Sequence, residues 1–355
     1  MNTIQIVQIA FFQFMEKSIM RTLILCLLIT SLFQGCTSFP TQGVQGERRV
    51  ALVIGNFDYS KEAQEDKPLK DWINAPSVKK DVEDMTNTLR SLGFHVLQVK
   101  NADKKQMEVA LQAFKALLKK EANTFVQANN TETEDKTTEK ENTLVALFYY
   151  AGHGLTSGNE TYLVPIGMKT ENLSKEEYLK ENAFTRTKVY EVYNDEALKS
   201  IKKRINFVIL DACRTDLQIP PNNNEHNDND GNVSLGVERE IADSEEKKPA
   251  TSGSNPGKEI PPYTFLGYAT AKYSSATAFK DEQKNSVYTE KLLYFISKPG
   301  LFVFELFDKV GKAVVEERRE NSPDKPTQKP HFSSNEMSEV NFVFRPEAVN
   351  QTPRW

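Results

Sequence analysis

The chain of 355 residues carries 45 Lys and Arg against 49 Asp and Glu, a net charge of −4, and is 39% hydrophobic and 26% charged. That length buries one large core or two modest ones. Basic residues are matched by acidic ones and form no stripe, which excludes a nucleic-acid partner.

The first element in chain order is a leader over residues 1–36. "MRTLILCLLITSLFQGC" has a basic start, an apolar run from Leu23 to Phe33, and then Gly35-Cys36. That is the layout of a secretory signal, and the run is too short to span a bilayer comfortably. It resembles a bacterial lipoprotein signal, which implies that Cys36 is lipidated and begins the mature chain. Phe33 and Gln34 depart from the Leu and small residue such signals usually carry there. Met15 or Met20 makes a more natural start than Met1, because Lys17 and Arg21 then supply the basic region. Structural alternatives are an uncleaved anchor and a plain signal peptide. The expected location is the bacterial cell envelope, lipid-anchored outside the cytoplasmic membrane. Cys26 leaves with the leader and Cys36 is acylated, so Cys213 remains as a lone thiol without a disulfide partner.

Residues 37–48 read as a polar tether. "RRVALVIGN" is an unbroken apolar run closed by Gly55, the signature of a buried parallel strand. Residues 75–91 read as a helix, with Val78, Val82, Met85 and Leu89 at helical spacing. "FHVLQV" is a second strand, and residues 104–120 are a helix with Met107, Leu111, Phe114 and Leu118 on one face. "TLVALFYY" is a third strand, followed by a short "YLVP", a helix at 195–203, and the strands "INFVIL" and "YTFLGYAT". Helices are expected near 287–297 and 302–319, and "NFVF" (341–344) as an edge strand. Alternating strands and helices imply an α/β fold, a doubly wound and mostly parallel sheet flanked by helices, over residues 49–345. Residues 346–355 are a tail. Two polar segments, 122–142 and 220–262, cannot bury a core of their own and read as surface insertions. "NDNDG" in the second fails as a calcium loop, since with Gly231 in register the first and twelfth ligand positions are His226 and Val237.

The reactive side chains lie at strand ends. "FYYAGHG" delivers His153 between Gly152 and Gly154, and "VILDACR" delivers Cys213 after Asp211 and Ala212. In open parallel sheets functional groups collect beyond the carboxyl ends of the strands. A thiol is intrinsically nucleophilic, and an imidazole beside it can take its proton and later protonate a leaving amine. The N–H groups of Gly154 and Cys213 could converge on the oxyanion of an acyl-transfer intermediate. Taken alone, Cys213 reads as a buried structural cysteine and His153 as a histidine near a turn. Their common position among small residues at two strand ends is what links them. His95, His226 and His331 read as structural or solvated.

From Arg49 to Phe344 the chain resembles the caspase-like cysteine peptidases, which include caspases, metacaspases and their bacterial relatives. The resemblance rests on "ALVIGNFDY", "KKDVEDMTNTLRSLGFHV", "FYYAGHG", "YLVP", "VILDACR", "LGYATA" and "SVYTEKLL", in the family's order. It implies a cysteine endopeptidase with His153 as general base, Cys213 as nucleophile and Gly154 in the oxyanion hole. Caspases carry Gln two residues before the nucleophile. Metacaspase-like enzymes carry Asp there and a second Asp on the first helix, and cleave after Arg or Lys. Asp211 and Asp81 match those positions, which implies protein or peptide substrates with a basic residue at the cut. Lys80 stands where relatives often have Asn, which would weaken the pocket's negative field. Asp81 also reads as a first-turn carboxylate favoured by the helix dipole, and Asp211 as a turn cap. No cofactor or metal site is identified, although some metacaspases need calcium. The alternative function is a catalytically silent interaction module on the same scaffold, anchored at the membrane.

Overall fold

In the computed structural model the described residues are 46–60, 74–131, 143–169, 176–199, 201, 203–216, 232–234, 259–271, 277–279, 281–321, 328–338 and 340–347. The leader with Cys36, nearly all of the tether, residues 132–142, most of 220–262 and most of the tail lie outside them.

Five runs become parallel strands, four of them buried along nearly their whole length and β2 only in part: β1 (Glu47–Gly55), β2 (Phe94–Lys100), β3 (Thr143–Ala151), β7 (Lys203–Asp211) and β10 (Thr264–Tyr268). With β12 (His331–Asn335) they form one sheet in the order β12-β10-β7-β3-β1-β2, in which β12 alone is antiparallel. Alternation along each strand divides the core. Val53, Tyr149, Phe207 and Ile209 face one layer, and Leu52, Phe148, Val208 and Leu210 face the other. The first layer is covered by α1 (Ser77–Ser91), α6 (Val287–Ile296) and α7 (Val303–Asn321). The second is covered by α2 (Lys104–Thr131), α4 (Arg186–Tyr193) and α5 (Glu196–Lys199). Helix α1 has no side-chain cap. Burial of Val78, Val82, Met85 and Leu89 holds it, at about 1.5–3 kcal/mol for each fully buried side chain.

The doubly wound reading therefore holds, with differences at the edges. Helix α2 runs past residue 120 to Thr131, into the segment read as an insertion. Ala122 is still buried there and Glu121 reaches Arg48 across 3.8 Å, and a helix once started adds residues at little cost. The edge strand is β12 and not "NFVF". Phe342 and Phe344 turn inward onto Phe207, and Arg49 lies against Phe342 and Phe94 while donating to the Phe344 and Leu92 carbonyls. The apolar signal at 341–344 thus marks a core plug, whereas β12 is recruited by main-chain pairing with β10 and has little apolar signal of its own.

A second sheet was legible in the sequence only at its short "YLVP" segment. It comprises β4 (Gly154–Ser157), β5 (Glu160–Leu163), β6 (Phe184–Thr185) and β8 (Thr215–Asp216), in the order β6-β5-β4-β8. Helix α3 (Glu176–Asn182) precedes β6, and a short ladder pairs β9 (Asn232–Ser234) with β11 (Thr277–Phe279).

Candidate functional site

Strands β3 and β7 pair in parallel from Thr143↔Lys203 through Ala151↔Asp211. Strands β4 and β8 resume the pairing at Leu155↔Thr215 and Thr156↔Asp216. Every pair in both ladders has the same chain separation of 60 positions, so His153 and Cys213 occupy matching places in the gap between them. The gap is narrow. A Cβ placed on Gly154 would lie 2.6 Å from the Cys213 carbonyl oxygen and 2.8 Å from Ala212 Cβ. Only glycine lets the two strand ends approach this closely. Gly152, at φ 149°, makes the turn that releases the chain from β3, and its N–H donates to the Asp211 carbonyl at 3.2 Å.

His153 and Cys213 are both buried, and Cys213 forms no disulfide. The His153 ring packs at 4.7 Å between centroids on Tyr59, whose hydroxyl accepts the His153 main-chain N–H at 3.1 Å. The His153 carbonyl accepts from the Tyr150 hydroxyl at 2.9 Å and from the Val164 N–H at 3.0 Å. Asn56 Nδ2 donates to the Val164 and Ala102 carbonyls at 3.0 and 3.2 Å. The imidazole is therefore carried on a main chain tied to three other segments. Burial pushes the Tyr59 and Tyr150 hydroxyls far above the usual tyrosine range, so both stay protonated and act as neutral hydrogen-bond partners.

Asp81 and Asp211 come together on the α1–α6–α7 side of the sheet. Asp81 Oδ1 accepts from the Ser286 N–H at 2.9 Å and from Asn285 Nδ2 at 3.1 Å. Asp211 Oδ2 accepts from the Ser286 hydroxyl and from Thr289 Oγ1, the latter at 2.6 Å. The other oxygens, Asp81 Oδ2 and Asp211 Oδ1, are buried without a hydrogen-bond partner, as is the Tyr288 hydroxyl. Burial raises Asp211 to about 6, against the pull of its two hydroxyl donors. Burial, and then the Asp211 charge, pushes Asp81 well above the usual carboxylate range. Buried carboxyls with no cation beside them hold their protons more tightly than usual, and the two unpartnered carboxylate oxygens favour a cation. Lys80 does not enter it; its ammonium pairs with Asp84 at 2.9 Å on the outer face of α1.

Of the residues singled out in the sequence, His153, Gly154 and Cys213 share one site, and Asp211 lies two residues from Cys213 and bonded, like Asp81, to Ser286. Cys36 lies outside the described residues. The sequence reading missed Ser286, Asn285, Thr289 and Tyr59. "SVYT" carried the local signal, a Ser whose side chain accepts from the N–H three residues on and so caps α6. Among the described residues no group of three or more His, Cys, Asp or Glu is placed to hold a metal ion. No described helix is long and apolar enough to cross a membrane.

Comparison with known proteins agrees with this architecture. The family described as "Caspase domain" matches residues 48–342. Human mucosa-associated lymphoid tissue lymphoma translocation protein 1 is 25% identical over 166 residues, 47% of this chain; the match spans 15% of that protein's length. The crystal structure of caspase-1 from Spodoptera frugiperda superposes with a TM-score of 0.50 at 11% identity, covering 87% of this chain and 95% of that one.

Proposed function

The chain belongs to the caspase domain family of cysteine peptidases, and from that premise we propose that it is an endopeptidase that cuts proteins or peptides after arginine or lysine. The observation that carries the reading is the common 60-position register of β3–β7 and β4–β8, with His153 and Cys213 opposite each other in the gap.

In the proposed reaction His153 removes the thiol proton of Cys213 and the thiolate attacks the scissile carbonyl carbon. The N–H groups of Gly154 and Cys213 hold the oxyanion. The C–N bond breaks as the imidazolium protonates the departing amine, leaving a thioester. Water, deprotonated by His153, then attacks the thioester, and the thiol leaves with the returned proton. Cys213 has 0% and His153 3% of its surface exposed.

The substrate side chain is assigned to the Asp81–Asp211 pocket. An arginine or lysine would supply the positive charge that the two open oxygens lack. Arg should exceed Lys, because its planar fork can hold a carboxylate through two bonds. The test is kcat/KM for matched peptides with Arg, Lys, Gln or Asp at the cut. Arg and Lys should lead by tenfold or more, and equal cleavage after Asp and Arg would overturn the acidic-pocket assignment.

The location is proposed from the leader alone: a mature chain starting at acylated Cys36, held on the outside of the cytoplasmic membrane. Mass spectrometry of the mature N-terminus should find a diacylglyceryl-modified Cys36. An unmodified start beyond it would refute the anchor.

A further inference from the structure

One residue touches both pocket carboxylates. Ser286 lies at the N-terminus of α6; its main-chain N–H donates to Asp81 Oδ1 at 2.9 Å and its hydroxyl donates to Asp211 Oδ2. The same hydroxyl oxygen accepts the Thr289 N–H at 3.1 Å, so helix, hydroxyl and carboxylate form one chain of hydrogen bonds. Thr289 Oγ1 adds a second donor to Asp211 and meets the Tyr149 hydroxyl at 2.6 Å. Asp81 and Asp211 come from separate elements, α1 and β7, that are not adjacent in the chain. Each is held by one oxygen while its other oxygen is buried and unpartnered.

We propose that Ser286 is the positioning residue of the acidic pocket, fixing Asp81 and Asp211 from a single point so that Asp81 Oδ2 and Asp211 Oδ1 are offered together to an incoming cation. This rests on the acidic-pocket reading and adds to it the part that builds the pocket. A donor to a carboxylate favours its charged form, so the Ser286 hydroxyl also keeps Asp211 available to a cation at lower pH. The other ionisable groups around the pair are Tyr149 on β3, Tyr288 on α6, Lys80 on α1, turned to Asp84, and Cys213 two residues beyond Asp211. Burial holds the two tyrosines protonated, which leaves the two carboxyl groups as the ones whose charge a cation would meet.

The competing role for Ser286 is that of a helix cap alone, and glycine separates the two. Glycine replaces serine at an N-cap with little loss of helix stability, whereas alanine loses clearly more. Neither can hold Asp211. The probe is benzamidine, a compact planar cation, with its affinity for the full chain measured by calorimetry from pH 5 to 8.5. In the wild type, affinity should rise with pH as the pair loses its proton. Ser286→Gly and Ser286→Ala should each weaken binding about tenfold at pH 7 and move the midpoint up by about one pH unit, the order expected of one lost hydrogen bond to a charged group. Ser286→Thr should restore both. A Gly variant that binds like wild type with an unmoved midpoint would overturn the positioning role while leaving the pocket intact. A wild type that does not bind benzamidine at pH 8.5 would remove the acidic pocket itself, and this inference with it.

Discussion

Cys213→Ala is expected to abolish peptide hydrolysis. The proposed reaction runs through a covalent thioester, and at this position only Cys213 carries a nucleophile; Ala212 precedes it and Arg214 follows. His153→Ala should leave a slow enzyme, with kcat lower by about 10²–10⁴-fold, the usual worth of a general base. The structural effect of the first change should be small, because a buried cysteine packs as a small hydrophobe and removing its sulfur leaves a cavity of one atom. Thermal unfolding should therefore place Cys213→Ala within a few degrees of wild type while turnover disappears. Undiminished hydrolysis of an Arg peptide by that variant would end the peptidase assignment. Loss of turnover together with loss of folding would make the residue structural.

Asp211→Asn should move activity and stability in opposite directions. Its carboxyl titrates near 6 in the folded chain against an ordinary value of 3.8, chiefly through burial. A folded-state value above the unfolded one means that the native protein binds the extra proton between those two pH values. Stability then falls as pH rises through that window, and the full cost is present above about pH 6. Two pH units correspond to about 3 kcal/mol. Removing the charge should stabilise the empty protein by up to that amount at pH 7 and by nothing near pH 3. The Asn carbonyl can still accept from Ser286 and Thr289, so the local hydrogen bonds survive. Recognition should not: losing one partner of a desolvated pair costs about 2–5 kcal/mol, which lowers kcat/KM for Arg peptides by roughly 30-fold or more. Paired urea titrations at pH 4 and pH 7 with matched peptide kinetics check both halves. A variant less stable than wild type at pH 7, with unchanged preference for Arg, would refute the strained-carboxylate account.

The parts of this protein that could be read from sequence are those where one residue type has one physical reason to be present. "LVALFYYAGHG" contains nothing but apolar, aromatic and small residues before His153, so the strand and the residue at its end were legible together. Asp81 was ambiguous as a helix-start carboxylate until its burial and its bond to the Ser286 N–H were seen. Ser286 itself was illegible as part of the site. A serine before "VYTEKLL" announces a helix cap, and nothing in its neighbourhood says that the same hydroxyl also meets a carboxylate from a strand 75 residues earlier. Apart from "YLVP" in β5, the small sheet of β4, β5, β6 and β8 escaped because its strands have only two to four residues, too short for any period to register. "NFVF" misled because apolar alternation describes a core plug as well as a strand.

The constant register across β3–β7 and β4–β8 bears on how such a chain can change over generations. What sets His153 against Cys213 is a ladder of main-chain hydrogen bonds, indifferent to how much chain is spooled out elsewhere. Doubling the length of a flexible surface loop costs only about 0.6 kcal/mol in closure entropy, so a lineage can add or shed residues in the connections between strands without touching the chemistry. A single residue gained or lost inside β7 is a different event. It would turn every side chain between the slip and Asp211 to the opposite face of the sheet, bring the Asp211 carboxylate to the face that holds Phe148, Tyr190 and Tyr268, and carry the thiol to the wrong side in the same step. Lengthening is therefore graded in the loops and all-or-none in the strands, and the same gene can tolerate long insertions while purging one-codon slips a few positions away.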